Sequence, residues 1–147
     1  ACDLRIASET ATIGFGFLRV GLHPDWGGSY FLPRLIGAAR AAEYILTGEM
    51  LNAERGERLG VFNRVVPAAE LESATRGIAG QIAAAPLGVV RDLKRTLRTT
   101  FQADLPEVLE LETEAQLRAF RSADFREGIE SFLQKRAPKF GKQHEKH

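Results

Sequence analysis

Cysteine is nearly absent from this sequence. One residue, Cys2, in a chain of 147 excludes an internal disulfide and a cluster of cysteine metal ligands. Histidine is scarce as well. Of the three, His144 and His147 lie in a polar C-terminal stretch, so His23 and scattered carboxylates make a poor donor set for zinc, and no metal site is expected. Neither sign of charge is in excess: 20 Lys and Arg against 19 Asp and Glu leave +1. No basic stripe exists to hold phosphate backbone, which argues against a nucleic-acid partner. No apolar run approaches membrane-spanning length, and no basic segment followed by an apolar core marks a signal peptide. A chain of this kind is expected away from the membrane, in the cytoplasm. Internal repeats and low-complexity blocks are also missing.

What is present is the composition of a globular domain, 44% hydrophobic. If it folds alone, a chain of this length buries about two-thirds of its extended surface. Residues Ala1 to Ala7 read as a strand already under way, with no starting Met and no cap. Two readings fit: a trimmed N-terminus, or the second half of a longer protein. Leu4, Ile6 and Thr10 to Ile13 suggest two short extended pieces split by Ser8-Glu9. Phe17 to Leu22 reads as strand or irregular extended chain, because glycine at this density disfavours a helix. Gly14-Phe15-Gly16 lacks the spacing and context of a dinucleotide fingerprint.

The most informative stretch runs from Ile13 to Gly37. It holds a turn at His23-Pro24-Asp25, the pair Gly27-Gly28, and an amphipathic run in which a helix starts near Gly28-Ser29, with Pro33 tolerated in a first turn. Asp25 is the only carboxylate of the stretch. A carboxylate between Pro24 and Trp26, before two glycines that permit close approach, is either a reactive group or a helix cap. Phe15, Phe17, Trp26 and Phe31 are either its apolar wall or ordinary core. His23 either orients Asp25 or is a turn residue.

Further along, Ala38 to Leu46 reads as a helix closed by Thr47-Gly48. Asn52 or Ala53 opens a short helix through Leu59, ended by Gly60, with Glu54 and Arg58 spaced to pair. Val61 to Val66 is a β-rich run stopped by Pro67. The rest is helical. Leu71, Ala74, Ile78, Ile82 and Ala85 share one face. Pro86 starts a helix whose apolar face includes Leu87, Val90, Leu93 and Leu97, with Arg91, Lys94, Arg95 and Arg98 opposite. Val108, Leu111, Ala115 and Ala119 mark one side of the next. Asp124 caps a last helix bearing Phe125, Ile129, Phe132 and Leu133. The organisation is a strand-containing part over 1–67, a helical region over 68–137, and a charged flexible tail over 138–147. So few strands make a thin sheet with exposed edges, and helices with strong apolar faces need something to cover. An oligomer, a further N-terminal half, or both would supply it.

Cys2 to Ser8, Gly21-Leu22-His23-Pro24-Asp25-Trp26-Gly27-Gly28, Leu32-Pro33-Arg34-Leu35-Ile36-Gly37, Leu46-Thr47-Gly48-Glu49, Ala53-Glu54, Leu59 to Pro67, Asp124 to Ile129 and Phe132 to Arg136 together resemble the enoyl-CoA hydratase/isomerase (crotonase) superfamily, in order and over nearly the whole chain. The resemblance implies an α/β fold: the second part of a spiral of β-β-α turns, followed by a helical trimerisation region. It implies a homotrimer or dimer of trimers and an acyl-CoA substrate, with coenzyme A part of the thioester and no covalently bound cofactor. Family members stabilise an enolate in a hole of two backbone N–H donors. Both donors come from segments that precede Cys2, as does the first hydratase glutamate, so a missing N-terminal half would have to supply them. Alone, a chain without them is expected to be inactive.

Where hydratases resemble Phe-Gly-Gln-Pro-Glu, this chain has Ile13-Gly14-Phe15-Gly16-Phe17, so Phe17 stands at the second glutamate's place. Isomerase branches resemble this chain in carrying aspartate at the position of Asp25, where it shuttles a proton between carbons of the acyl group. A dehalogenase branch uses that aspartate as a nucleophile, but with tryptophan at the place of Phe17. The resemblance thus favours an acyl-CoA double-bond isomerase with Asp25 catalytic and Phe17, Trp26, Gly27 and Phe31 lining the substrate pocket. A shuttle of this kind is expected to be partly desolvated, with its pKa raised. Phe132 and Lys135 match residues that touch coenzyme A from a neighbouring subunit. The alternatives are an enoyl-CoA hydratase or hydratase/isomerase of unassigned substrate, and a CoA-binding homologue without catalysis. Cys2, by its family setting, is expected to be a buried structural residue.

Overall fold

A computed structural model describes residues 2–141; His144, His147 and the end of the tail expected over 138–147 lie outside the described residues. The described chain divides after Arg76 into two compact units.

The first unit is built on one long-range pairing. Strand β1 (Ile6–Ser8) runs parallel to β4 (Arg64–Val66), with Ile6 opposite Arg64 and Ser8 opposite Val66. Parallel neighbours require a crossover, and everything between them forms it. Polar bonds extend the ladder beyond its three residues. The Arg5 N–H donates to Asn63 Oδ1 at 2.8 Å, the Asn63 N–H donates to the Arg5 carbonyl at 2.7 Å, and the Arg5 guanidinium donates to the carbonyls of Val61 and Cys2. Cys2 is exposed, not buried as expected.

Within the crossover, β2 (Thr12–Gly14) pairs antiparallel with β3 (Met50–Asn52), placing Ile13 opposite Leu51. Strand β3 was not expected: three residues are too few for a periodic pattern, and the pairing with β2 decides them. Helices α1 (Gly28–Ile36), α2 (Ala38–Thr47) and α3 (Ala53–Leu59) follow the expected boundaries. Asn52 caps α3 by accepting from the Arg55 N–H, and Gly60, at φ 84°, ends it in the left-handed conformation that glycine adopts without penalty. Pro33 is the sixth residue of α1, past the first turn where it was expected. The helix bond it removes would have ended on Ser29, an exposed residue, so water can take its place.

The core joins Leu32 and Ile36 of α1, Ala41 and Tyr44 of α2, Leu51 of β3, and Val61, flanked by Ile13, Phe15 and Phe62. One detail is unfavourable. The Tyr44 hydroxyl is buried without a hydrogen-bond partner among the described residues.

The second unit contains the later part of α4 (Leu71–Ala83), then α5 (Leu87–Thr99), α6 (Leu105–Phe120) and α7 (Ala123–Leu133). Asp104 caps α6 by accepting from the Glu107 N–H. Ser122, not Asp124, caps α7, accepting from the Phe125 N–H at 3.0 Å; Asp124 falls two positions too late, in the first turn. On α6 the half-buried residues are Val108, Leu111, Ala115 and Ala119, as the spacing implied. On α5 only Val90 of the expected apolar stripe is half-buried. Leu87, Leu93 and Leu97 stay exposed, whereas Asp92 and Thr96 turn inward beside α6, and Asp92 accepts from the Arg118 guanidinium at 3.1 Å. Among the described residues no helix is long and apolar enough to cross a membrane.

Two substitutions test this packing. A Cβ on Gly56 would lie 2.6 Å from the Phe62 ring, which is held against the core, so Gly56→Ala should destabilise by about 1–3 kcal/mol. Tyr44→Phe loses no hydrogen bond and should leave stability equal or higher, by up to about 1 kcal/mol. Denaturant melts of the full protein distinguish them, and a marked loss in Tyr44→Phe would contradict the unpartnered hydroxyl.

Candidate active site

The segment before Asp25 is not extended. Gly16–Val20 form a short 3-10 helix, and Gly21, at φ 72°, closes it. Glycine disfavours a long helix, but a single tight turn tolerates it, and the Leu22 N–H donating to the Phe17 carbonyl at 2.9 Å seals this one. The chain then reaches Pro24, which is buried, and folds over into α1. Gly28 allows a close approach here: a Cβ would stand 3.0 Å from the Phe15 ring, which would have to give way.

Asp25 to Gly28 form a turn closed by the Gly28 N–H donating to the Asp25 carbonyl at 2.9 Å. Its two central residues, Trp26 at φ 52° and Gly27 at φ 79°, are both left-handed, as in a type I′ turn. For glycine this is free. For tryptophan it costs about 1–2 kcal/mol relative to the right-handed state. The turn fixes how Asp25 enters α1, whose N-cap is Gly27, without a side-chain capping bond. The capping reading of Asp25 is therefore not what the structure displays: its carboxylate is not used to hold the helix.

The surroundings of Asp25 differ from the enclosed pocket expected. Asp25 is exposed, and Trp26 is 93% exposed. Phe15 and Phe17 are half-buried. Phe31 packs edge-on to Tyr30, with ring centres 5.2 Å apart, and its ring lies under Gly27, where a Cβ would be 2.8 Å away. The described residues thus set the Phe31 and Phe15 rings against Gly27 and Gly28 but leave Asp25 exposed. His23 does not orient Asp25. Its Nδ1–H donates to the Pro24 carbonyl at 2.7 Å, which fixes the ring on the backbone. Arg34 is engaged with Tyr30, donating to its carbonyl and stacking 3.6 Å from the ring centre, and Arg19 lies against Gly48.

The other two residues singled out, Phe132 and Lys135, belong to the second unit. Phe132 is 80% exposed on the last turn of α7. That helix ends in a Schellman motif: the Lys135 N–H donates to the Phe132 carbonyl at 3.2 Å and the Arg136 N–H to the Ser131 carbonyl at 3.0 Å. Glycine is the usual residue at the position of Lys135, which adopts φ 51°. Among the described residues Trp26 and Lys135 are the two non-glycine positions with positive φ. Backbone strain of this sort concentrates at functional sites.

Beyond Lys135 the chain folds back on α7. Arg136 makes a two-pronged ion pair with both oxygens of Glu127, the Lys139 N–H donates to Glu127 Oε1 at 2.7 Å, and the Gly141 N–H donates to Asp124 Oδ1 at 2.9 Å. Hydrogen bonding from Arg136, then from the Lys139 backbone, lowers the Glu127 carboxyl from its ordinary 4.5 to about 2. Residues 138–141 of the expected tail are thus tied to α7. Nothing in the sequence marked this clamp, because nine residues separate Glu127 from Arg136, and only the left-handed turn at Lys135 brings them together.

The family described as enoyl-CoA hydratase/isomerase matches residues 1–143. A protein of Rhodobacter capsulatus named a probable enoyl-CoA hydratase is 38% identical over 140 residues, which are 95% of this chain and 54% of that protein. A 1,2-epoxyphenylacetyl-CoA isomerase of Escherichia coli is 36% identical over 138 residues, 94% of this chain and 53% of that one. The crystal structure of an enoyl-CoA hydratase from Bacillus anthracis superposes with a TM-score of 0.91 at 36% identity, covering 95% of this chain and 54% of that structure. The chain spans about half the length of these relatives.

The Glu127 clamp has a pH signature. Its folded pKa lies below the unfolded value, so its contribution is whole above about pH 4.5 and is lost as pH falls toward 2. Thermal melts should show wild type losing more stability than Glu127→Gln across that window. Parallel curves would show that the pair adds nothing.

Proposed function

The chain belongs to the enoyl-CoA hydratase/isomerase family, and we propose that the whole protein acts on acyl-coenzyme A thioesters, with Asp25 as the group that moves the proton. The observation that carries this is the turn Asp25–Gly28. Its backbone is held in a strained left-handed form, its carboxylate is not consumed as a helix cap, and Asp25 is the one carboxylate between Glu9 and Glu43. A lone carboxylate suits chemistry in which one base takes a proton from one carbon and returns it to another. The enolate formed in between would be held by backbone donors in the part of the family fold that this chain does not span. The half-buried Phe15, whose ring lies against Gly28, gives the turn one apolar side, and exclusion of attacking water would fall to the part of the family fold that this chain does not span.

Within this family reading, two chemistries divide the support. Hydratase is the name of the R. capsulatus and B. anthracis relatives, and isomerase that of the E. coli one. Names therefore support hydration. Phe17, at the place where hydratases resemble one another in carrying glutamate, supports isomerisation. Coenzyme A would be met by Phe132 and Lys135 from a neighbouring copy, in a trimer or dimer of trimers that covers the exposed Leu87, Leu93, Phe132 and Leu133.

One experiment separates these readings. The full-length protein is incubated with a β,γ-unsaturated acyl-CoA in deuterated water, and exchange at the α and γ carbons is followed beside addition of water to the 2-enoyl-CoA. Isomerisation through Asp25 predicts exchange at both carbons that drops about 10²–10⁴-fold in Asp25→Asn, with CoA binding retained. Efficient hydration insensitive to Asp25→Asn would establish the hydratase reading in its place. CoA binding with neither reaction would mark a homologue without catalysis on these substrates.

A further inference from the structure

The strained lysine at the end of α7 raises the question of what holds it there. Lys135 occupies the left-handed position of a Schellman motif, where glycine is usual, and its ammonium has no partner among the described residues. The side chains around it are, by contrast, fully engaged. Gln134 donates through Nε2 to Glu130 Oε1 at 3.0 Å and accepts from Arg136 Nε at 2.8 Å. The Arg136 guanidinium grips both oxygens of Glu127, and one of those oxygens also receives the Lys139 N–H. The grip is half-buried, with Arg136 34% and Glu127 22% exposed. Phe140 settles against Gly128 on the same helix, 3.8 Å from where its Cβ would be. Arg136, Lys139, Phe140 and Gly141 are thus drawn back along α7, and unwinding the turn would have to break the bonds of Glu127 to Arg136 and Lys139.

We propose that Glu127 is a positioning residue: by gripping Arg136 and the Lys139 backbone it keeps Lys135 in the left-handed state, and so presents the lysine ammonium to the phosphates of coenzyme A. This rests on the reading of Lys135 as a coenzyme contact. The ammonium is a compact charge on a flexible stem, and its usefulness depends on where the stem is rooted. A glycine at this position would form the turn more easily but would carry no charge. The clamp lets a lysine occupy the glycine position.

The test uses the full-length protein and two ligands, acetyl-CoA and acetyl-pantetheine, which lacks the nucleotide phosphates. Dissociation constants are measured by calorimetry, and amide exchange of residues 135–141 by mass spectrometry. Lys135→Ala should weaken acetyl-CoA by about 10–100-fold, the range of a charge-assisted bond, and leave acetyl-pantetheine unchanged. Glu127→Gln should weaken acetyl-CoA about tenfold, leave acetyl-pantetheine unchanged, and speed exchange over 135–141; added to Lys135→Ala it should bring no further loss. Lys135→Gly should slow that exchange while weakening acetyl-CoA as Lys135→Ala does, and Lys135→Arg should restore part of the affinity. If Lys135→Ala leaves acetyl-CoA affinity intact, the coenzyme reading of Lys135 fails and this proposal with it. If Lys135→Ala weakens binding but Glu127→Gln does not, although exchange over 135–141 has quickened, Lys135 keeps its role and the positioning by Glu127 is overturned. Equal weakening of both ligands by Glu127→Gln would also overturn it, showing only loss of structure.

Discussion

The first unit depends on a pairing between residues far apart in the chain. Arg5 and Asn63, 58 positions apart, exchange two hydrogen bonds at the end of a three-residue parallel ladder. Three residues of ladder are a weak tie, and parallel pairing gains little per residue. The tie persists because the crossover it closes buries Leu32, Ile36, Tyr44, Leu51 and Val61 together. Burial and pairing are mutually dependent: the core cannot close unless β4 returns to β1, and β4 has no other reason to return.

From that closure follows the geometry of the candidate site. The buried Pro24 anchors the approach to α1, the Phe15 ring lies against Gly28, and the chain between can only pass through a left-handed turn. Glycine at 27 accommodates this; tryptophan at 26 does not do so readily. The cost falls beside Asp25 because the packing on either side leaves no other path. A similar logic operates at the far end, where the left-handed Lys135 is kept in place by the Glu127–Arg136 pair. In both places a backbone state that local sequence disfavours is imposed by contacts made elsewhere.

The exposed apolar residues are the other side of these small cores. Leu87, Leu93 and Leu97 on α5, and Phe132 and Leu133 on α7, remain uncovered, and Trp26 stands clear of the surface. Patches of this kind on a folded protein mark contact surfaces. The exposed Asp25, next to glycines that pack on Phe15 and Phe31, fits the same pattern. The relatives of known structure are about twice as long as this chain, so surfaces that are open here correspond to a smaller share of the fold.

The sequence by itself determined what local physics decides. The starts and ends of α1, α2 and α3 were legible because Asn52, Gly48 and Gly60 satisfy helix ends through nearest neighbours. The inward side of α6 was legible from its spacing, and the family from motifs in order. The turn at Asp25 was visible as a Pro-Asp-x-Gly-Gly string. Tertiary structure decided the rest. Strand β3 exists because β2 lies beside it, and three residues carry no period to read. Thr96 of α5 faces inward in place of Leu93 because α6 lies on that side. Ser122 outcompetes Asp124 as cap by its place relative to the first helical N–H groups. The left-handed states of Trp26 and Lys135 were not foreseeable, since each side chain disfavours them locally and only distant packing or a nine-residue ion pair compels them.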